Sequence, residues 1–99
     1  MSKKNIEKQP GVFGEITELG EKYELTTTKV MRWLGQQNPG NKFSREVIME
    51  ALIGSDYEQM GQGQRNTIFT TLIKPDLDTA VETGILKEIL EEEEYEKVG

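Results

Sequence analysis

The side chains best suited to recognising a partner lie in one short stretch, from Arg65 to Lys74. Its polar members recur at the spacing of a single helix face, which joins Asn66, Thr67, Thr70, Thr71 and Lys74. Amide, hydroxyl and ammonium groups there can donate or accept hydrogen bonds. The face holds no acid, although the chain as a whole is rich in acid. This pattern predicts a surface that could read a binding partner.

The chain offers little for catalysis or for metal binding. It has no cysteine and no histidine, which excludes disulfide staples, thiolate metal sites and most catalytic triads. The acids Asp76, Asp78 and Glu91–Glu94 lack the spacing of a calcium-binding loop. The segment Gly61–Gly63 lacks the Gly-Lys-Ser/Thr ending of a phosphate-binding loop. We therefore expect no enzymatic activity, no catalytic residue, no cofactor and no metal site.

Charge is distributed unevenly along the chain. The formal net charge is -6, and residues 75–99 hold two lysines against nine acids. The region from Leu25 to Arg45 instead has four basic residues and no acid, namely Lys29, Arg32, Lys42 and Arg45. The acidic balance argues against general DNA affinity, whereas the basic region leaves room for a focused basic surface.

The length and hydropathy of the chain predict one domain outside the membrane. At 99 residues the chain is long enough for a single modest core, which we place at residues 10–99 behind a disordered tail at residues 1–9. No run approaches the roughly 20 apolar residues that cross a bilayer. The first ten residues have no apolar signal-peptide core, and the lack of cysteine fits a cytoplasmic location.

Apolar periodicity predicts three helices in the first half of the chain. The first carries the stripe Val12, Phe13, Ile16, Leu19 and Tyr23, with a break expected near Gly20. The second is capped by the threonines at 26–28, buries Val30, Met31 and Leu34, and ends within Gly35–Gly40. The third starts at Ser44 as its N-cap, points Val47, Ile48, Ala51 and Leu52 inward, and stops at Gly54.

A fourth helix is predicted from about Asn66, after a polar loop at Ser55–Gln64 with a possible helical turn at residues 56–60. Its buried stripe comprises Ile68, Phe69, Leu72 and Ile73. Pro75 either kinks this helix or sits in the first turn of a new one, because proline has no N–H to donate. Gly84 ends the helical region, since a left-handed closing residue costs glycine nothing.

The C-terminal segment is consistent with two structures. Ile85–Leu90 and Tyr95–Val98 could form two strands around a tip at Glu91–Glu94. The same segment could form a helix, because Ile85, Leu86, Ile89 and Leu90 also show helical spacing. The position of Gly84 directly before the segment favours the hairpin.

This order of elements resembles a winged-helix (winged helix-turn-helix) DNA-binding domain over roughly residues 26–98. The resemblance lies in Asn66–Phe69, which would open a recognition helix, and in Thr83–Leu86, which would lead into a wing. It implies a mainly α domain of three to five helices with a small C-terminal β-hairpin. Three features depart from the family pattern: Pro75 in a long recognition segment, the long loop at Ser55–Gln64, and an acidic wing.

The resemblance implies a small sequence-specific DNA-binding protein, such as a transcriptional regulator that occupies an operator as a homodimer. The major groove of double-stranded DNA would receive Asn66, Thr67, Thr70, Thr71 and Lys74. Phosphates would be met by Arg65, Lys74, Lys29, Arg32, Lys42 and Arg45. The alternative is a protein-interaction module of the same fold that binds no DNA and docks on a basic partner through Glu91, Glu92, Glu93 and Glu94.

Overall fold

The computed structural model of the protein describes residues 12–98, with side chains from residue 15 onward. The expected tail at residues 1–9 lies outside the described residues, and so do the side chains of Val12 and Phe13.

The first helix, α1, spans Val12–Lys22 and continues past the expected break. Gly20 lies inside it, so the prediction of a break at this position is wrong. A Cβ atom at Gly20 would lie 3.2 Å from Cδ1 of Leu72. The glycine therefore allows α1 to pack closely against the later helical region, and this packing outweighs its weak helix propensity.

Helix α2 spans Thr27–Gly35 and α3 spans Arg45–Ile53, and both begin at the predicted caps. The hydroxyl of Thr26 accepts from the backbone N–H of Lys29 at 3.1 Å. The hydroxyl of Ser44 accepts from the N–H of Val47 at 3.3 Å. Each bond satisfies a donor that has no partner within its helix.

The buried stripe of α3 differs from the predicted one. Ile48 and Leu52 are buried as expected, but Val47 is 47% exposed and Ala51 is exposed. Their predicted inward places are taken by two larger side chains, which are Met49 and Ile53. The helix thus turns the face with more apolar area toward the core, as burial free energy favours.

The helical region after α3 is interrupted at Gly54 and at residues 60–61, then runs unbroken from Gln62 to Glu82 with changes in geometry. A 3₁₀ helix at Ser55–Gln59 matches the expected turn, and α4 spans Gln62–Ile68, starting four residues earlier than predicted. A π-helical segment follows at Phe69–Ile73, and α5 spans Lys74–Glu82. The N–H of Lys74 bonds to the carbonyl of Phe69, five residues earlier. This wider turn puts Pro75 in the first turn of α5, where its missing N–H costs little.

The C-terminal segment forms the β-hairpin. Strand β2 spans Leu86–Ile89 and β3 spans Glu94–Lys97, and the two pair antiparallel. A short strand β1 at Lys42–Ser44, which was not predicted, pairs with the other edge of β3 and gives the sheet order β1-β3-β2. Phe43 and Glu88 lie directly across from Tyr95 on either side. The buried Lys97 donates from Nζ to the carbonyl of Gln37 at 2.9 Å, which ties β3 to the segment before β1.

All described elements share one apolar core. Its largest fully buried side chains come from five helical elements and are Val30, Leu34, Ile48, Met49, Ile68, Ile73 and Leu77. Trp33 packs its ring against Phe43 at 5.1 Å between centroids, so the sheet closes one side of this core. The architecture is mainly helical with a small three-stranded antiparallel sheet. It confirms the predicted fold class and is consistent with a winged-helix-like α+β domain.

Across residues 12–98, every helix is too short or too polar to cross a membrane.

Candidate nucleic-acid interface

The predicted recognition face lies on α4 and the π-helical segment and ends at Lys74, the first residue of α5. Asn66, Thr70 and Thr71 are exposed, and Thr67 is half-buried. The hydroxyl of Thr67 donates to the carbonyl of Gly63 at 2.9 Å, and that of Thr70 donates to the carbonyl of Asn66 at 2.9 Å. Because these protons are used within the helix, Thr67 and Thr70 offer methyl groups and oxygen lone pairs to a partner.

Arg45, the first residue of α3, lies against this face. Its guanidinium carbon is 4.8 Å from the centroid of the Phe69 ring, and it donates to Oδ1 of Asn66 at 3.2 Å. Gln62 donates to the same oxygen at 3.3 Å. The amide nitrogen of Asn66 has no hydrogen-bond partner within residues 12–98 and can donate outward. The fold therefore brings together two predicted site residues, Arg45 and Asn66, from different helices.

Two predicted phosphate contacts form ion pairs at the surface. Nζ of Lys74 is 3.0 Å from Oδ1 of Asp78, and this hydrogen bond raises the pKa of Lys74. Nζ of Lys42 is 3.8 Å from Oε1 of Glu92 on the hairpin tip. Exposed pairs of this kind stabilise a fold by only about 0–1 kcal/mol. Both ammonium groups can therefore exchange their partner for another anion at low cost.

Two other predicted phosphate contacts hold the fold together. Nζ of Lys29 donates to the carbonyl of Tyr23 at 2.6 Å and to that of Leu52 at 2.8 Å. The guanidinium of Arg65 donates twice to the carbonyl of Tyr57, at 3.2 and 2.9 Å, and stacks over its ring. The carbonyls of Tyr23 and Leu52 lie at helix ends, where backbone oxygens lack helical partners. The carbonyl of Tyr57 also accepts the N–H of Met60 at 3.2 Å.

Arg32 lies on the exposed side of α2. It is the one predicted basic contact for which the described part of the chain provides no hydrogen-bond or ion-pair partner. The predicted basic residues therefore fall into three groups: Lys29 and Arg65 with structural bonds, Lys42, Lys74 and Arg45 with exchangeable partners, and Arg32 without a partner.

An acidic cleft borders the recognition face. It has a volume of about 340 Å³ and lies between the start of α3, the π-helical segment and the hairpin. Arg45, Lys74 and Phe69 line one part of it. Its carboxylates come mainly from the hairpin and comprise Glu46, Glu88, Glu92, Glu93 and Glu94. We call this cavity the wing cleft.

Tyr95 of β3 also lines the wing cleft and is only 5% exposed. Within residues 12–98 its hydroxyl has no hydrogen-bond partner. Burial and the nearby carboxylate of Glu88 raise the pKa of Tyr95, so the phenol stays protonated at neutral pH. A phenol that lines the cleft can form a hydrogen bond with a group that enters it.

Sequence reasoning did not find Gln62 or Tyr95. Gln62 was assigned to a loop, because the glycines on both sides of it have low helix propensity. The sequence predicts Tyr95 in the return strand of the hairpin and indicates no role for it. Its neighbours across the sheet are Phe43 and Glu88, and only the folded sheet brings them next to it. The alternation of polar and apolar residues at Glu94, Tyr95 and Glu96 is the sequence signal for a strand with Tyr95 facing inward, and it spans too few residues to indicate a site.

Across residues 12–98, no three acidic side chains converge closely enough to hold a metal ion. Comparisons with protein-family models, with curated proteins and with solved structures found no match to this chain.

Proposed function

We propose that the protein is a small DNA-binding regulator that reads duplex DNA with the exposed face of α4 and the π-helical segment. The observation that carries this proposal is the exposure of Asn66, Thr70 and Thr71 on one acid-free helix face, with Arg45 bound beside it. A major groove about 12 Å wide admits one α-helix with its side chains. In this proposal the protein binds DNA and catalyses no reaction. Its location is then the compartment that holds the DNA, and we take this compartment to be the cytoplasm.

The chemistry of this face suits base edges. Asparagine can pair with adenine through its amide, and the Asn66 amide nitrogen is free to donate. Threonine methyl groups can pack on the methyl group of thymine. We therefore assign base reading to Asn66, Thr70 and Thr71, with Thr67 supporting them from a half-buried position.

Phosphate contacts would come from Arg32, Lys42, Arg45 and Lys74, because these residues have weak partners or none within residues 12–98. Lys29 and Arg65 were also predicted to contact phosphate, and we leave them out of this set because each donates to backbone carbonyls. Four phosphate contacts correspond to a salt slope of about -3 to -4 in log affinity against log salt. A homodimer would double the contacts and place two recognition helices in successive grooves.

The test begins with selection of a preferred duplex from a random pool, followed by titration of each variant on the selected site. Asn66→Ala or Thr70→Ala should cost on the order of 1–3 kcal/mol and relax the preference at one base pair. Lys74→Ala should weaken binding to all sequences alike and reduce the salt slope by about one unit.

Thr79→Ala is the matched control for Thr70→Ala. Thr79 is also exposed and also donates its hydroxyl to the carbonyl four residues earlier, that of Pro75, at 3.1 Å. It lies on α5, outside the proposed face, so its loss should leave DNA affinity unchanged. If the folded wild type binds no duplex at about 50 mM salt, where counterion release strongly favours binding, the DNA proposal fails.

The second candidate is a protein-interaction module that docks on a basic partner. It is favoured by the exposure of Glu91, Glu92 and Glu93 on the hairpin tip and by the carboxylates that line the wing cleft. In this function the acidic hairpin takes the role that a basic wing has in DNA binding.

A further inference from the structure

We propose that the wing cleft is a docking site for a lysine or arginine side chain from a basic segment of a partner protein. The inference gives the second candidate function its site, and it does not depend on DNA binding. Its starting point is the coincidence of an acidic cavity with the buried residue Tyr95, whose hydroxyl has no hydrogen-bond partner within residues 12–98.

Charge selects a cation for this cavity. Five carboxylates line the wing cleft, against the two basic side chains of Arg45 and Lys74. Both basic groups already have partners, since Arg45 donates to Asn66 and Lys74 pairs with Asp78. Both positive charges also act on Tyr95 within the cleft. Of the five carboxylates, Glu92 pairs with Lys42, and the other four have no ion-pair partner within residues 12–98. An anionic ligand would meet like charge on the hairpin side.

Tyr95 gives the site a specific hydrogen-bonding group. Glu88 lies directly across from it in the β2–β3 register, so the two side chains share one face of the sheet. A protonated phenol can accept a hydrogen bond from an ammonium or guanidinium group and donate its own proton to a carboxylate. Tyr95 and Glu88 could thus bind one N–H-bearing cation together, which would give the Tyr95 hydroxyl the partner that it lacks among the described residues.

The rim of the cleft suits a polypeptide more than a small free cation. Leu90 lines the wing cleft at the start of the hairpin tip and is 76% exposed, so folding leaves its side chain almost entirely in water. A peptide could cover this leucine with an apolar side chain or with the aliphatic stem of the inserted residue. Glu92 and Glu93 on the same tip could then meet further basic residues of the segment.

The experiment measures fluorescence anisotropy of a short labelled peptide of alternating lysine, arginine and glycine residues, titrated with the full chain. A peptide with glutamine at each basic position is the ligand control. Tyr95→Phe removes only the hydroxyl, and we expect it to weaken binding about 5- to 10-fold, the effect of one hydrogen bond. Glu88→Gln should weaken binding at least as much, because it also removes a charge.

Glu58→Gln is the matched protein control, since it makes the same charge change at an exposed position of the 3₁₀ helix, outside the cleft. It should change the affinity less than about twofold, as expected for a screened surface charge. Thermal unfolding of each variant shows that it is folded at the assay temperature.

The outcomes test two claims independently: that the protein docks on a basic partner, and that the wing cleft is the docking site. If the peptide binds but Glu58→Gln weakens it as much as Glu88→Gln does, docking on a basic partner survives and the wing cleft is refuted. If neither the peptide nor spermine binds, both are refuted. If spermine binds with the same sensitivity to Tyr95→Phe and the peptide does not, the cleft takes a free polyamine, and the protein-docking proposal is wrong.

Discussion

Lys29 provides the sharpest test of the distinction between basic residues that stabilise the fold and those that are available to a partner. Its ammonium joins the end of α1 to the end of α3, through hydrogen bonds of 2.6 Å to the carbonyl of Tyr23 and 2.8 Å to that of Leu52. Lys29→Ala removes both bonds. We expect the free energy of unfolding to fall by about 2–3 kcal/mol, because a hydrogen bond from a charged group contributes about 1.5–3 kcal/mol.

The expected total is below the simple sum because Lys29 is only half-buried, so water can reach the abandoned carbonyls in part. For a domain of this size the loss corresponds to a fall in melting temperature of about 10–20 °C. Chemical denaturation followed by circular dichroism measures the free energy directly.

Arg32→Ala is the matched control, since Arg32 lies on the same helix, is exposed and loses a similar side chain. It should change stability by less than about 0.5 kcal/mol. Lys29→Met keeps most of the aliphatic stem, so it should lose nearly as much stability as Lys29→Ala if the ammonium is responsible. Equal stability of Lys29→Ala and Arg32→Ala would refute the structural role of Lys29 and return it to the phosphate-contacting group.

Three further predictions concern the core, the wing cleft and the hairpin tip. Leu77→Ala should lower the free energy of unfolding by about 2–5 kcal/mol in urea denaturation, because Leu77 is fully buried. Leu72→Ala should lower it clearly less, because Leu72 is half-buried. Equal losses for the two variants would contradict the burial pattern. The pKa of Tyr95 is raised in the folded protein, so Tyr95 ionises at a lower pH in the unfolded chain. The contribution of this shift to the free energy of unfolding should be fully present below about pH 10. It should be lost as the pH rises through the folded-state pKa. Tyr95→Phe should lack this part of the decline, and an unchanged pH profile would show that the phenol is not perturbed. Replacing Glu91–Glu94 with glutamine should tighten non-specific duplex binding in a low-salt titration, and unchanged affinity would place the hairpin tip away from any DNA surface.

Local signals in the sequence determined most of the helical framework. Thr26 and Ser44 were identified as caps from their hydroxyl groups and positions, and both accept the expected backbone N–H. Gly54 and Gly84 were identified as helix ends, and their φ angles of 95° and 84° are the left-handed values that favour glycine. These features depend on bonds and dihedral angles within a few residues, so the local sequence is sufficient to predict them.

Contacts between distant segments decided what the local pattern left open. The C-terminal segment has helical and strand character, and it became a hairpin because β3 pairs with β2 on one side and β1 on the other. The same pairing created β1, whose single buried residue, Phe43, gives no strand signal alone. The packing of α3 likewise chose Met49 and Ile53 over Val47 and Ala51 for the core, which helical spacing permits equally.

In the candidate sites, too, some features follow from the local sequence and others depend on contacts between distant segments. The exposed face of Asn66, Thr70 and Thr71 follows from helical spacing alone, and the structure keeps those side chains at the surface. The roles of the basic residues depended on partners far away in the chain, such as Leu52 for Lys29, because a charged group bonds to whatever acceptor the fold places within reach. The wing cleft exists only in the tertiary structure, since its walls come from α3, the π-helical segment and the hairpin. Nothing in the order of residues brings Tyr95 and Arg45 to one cavity until the sheet has formed.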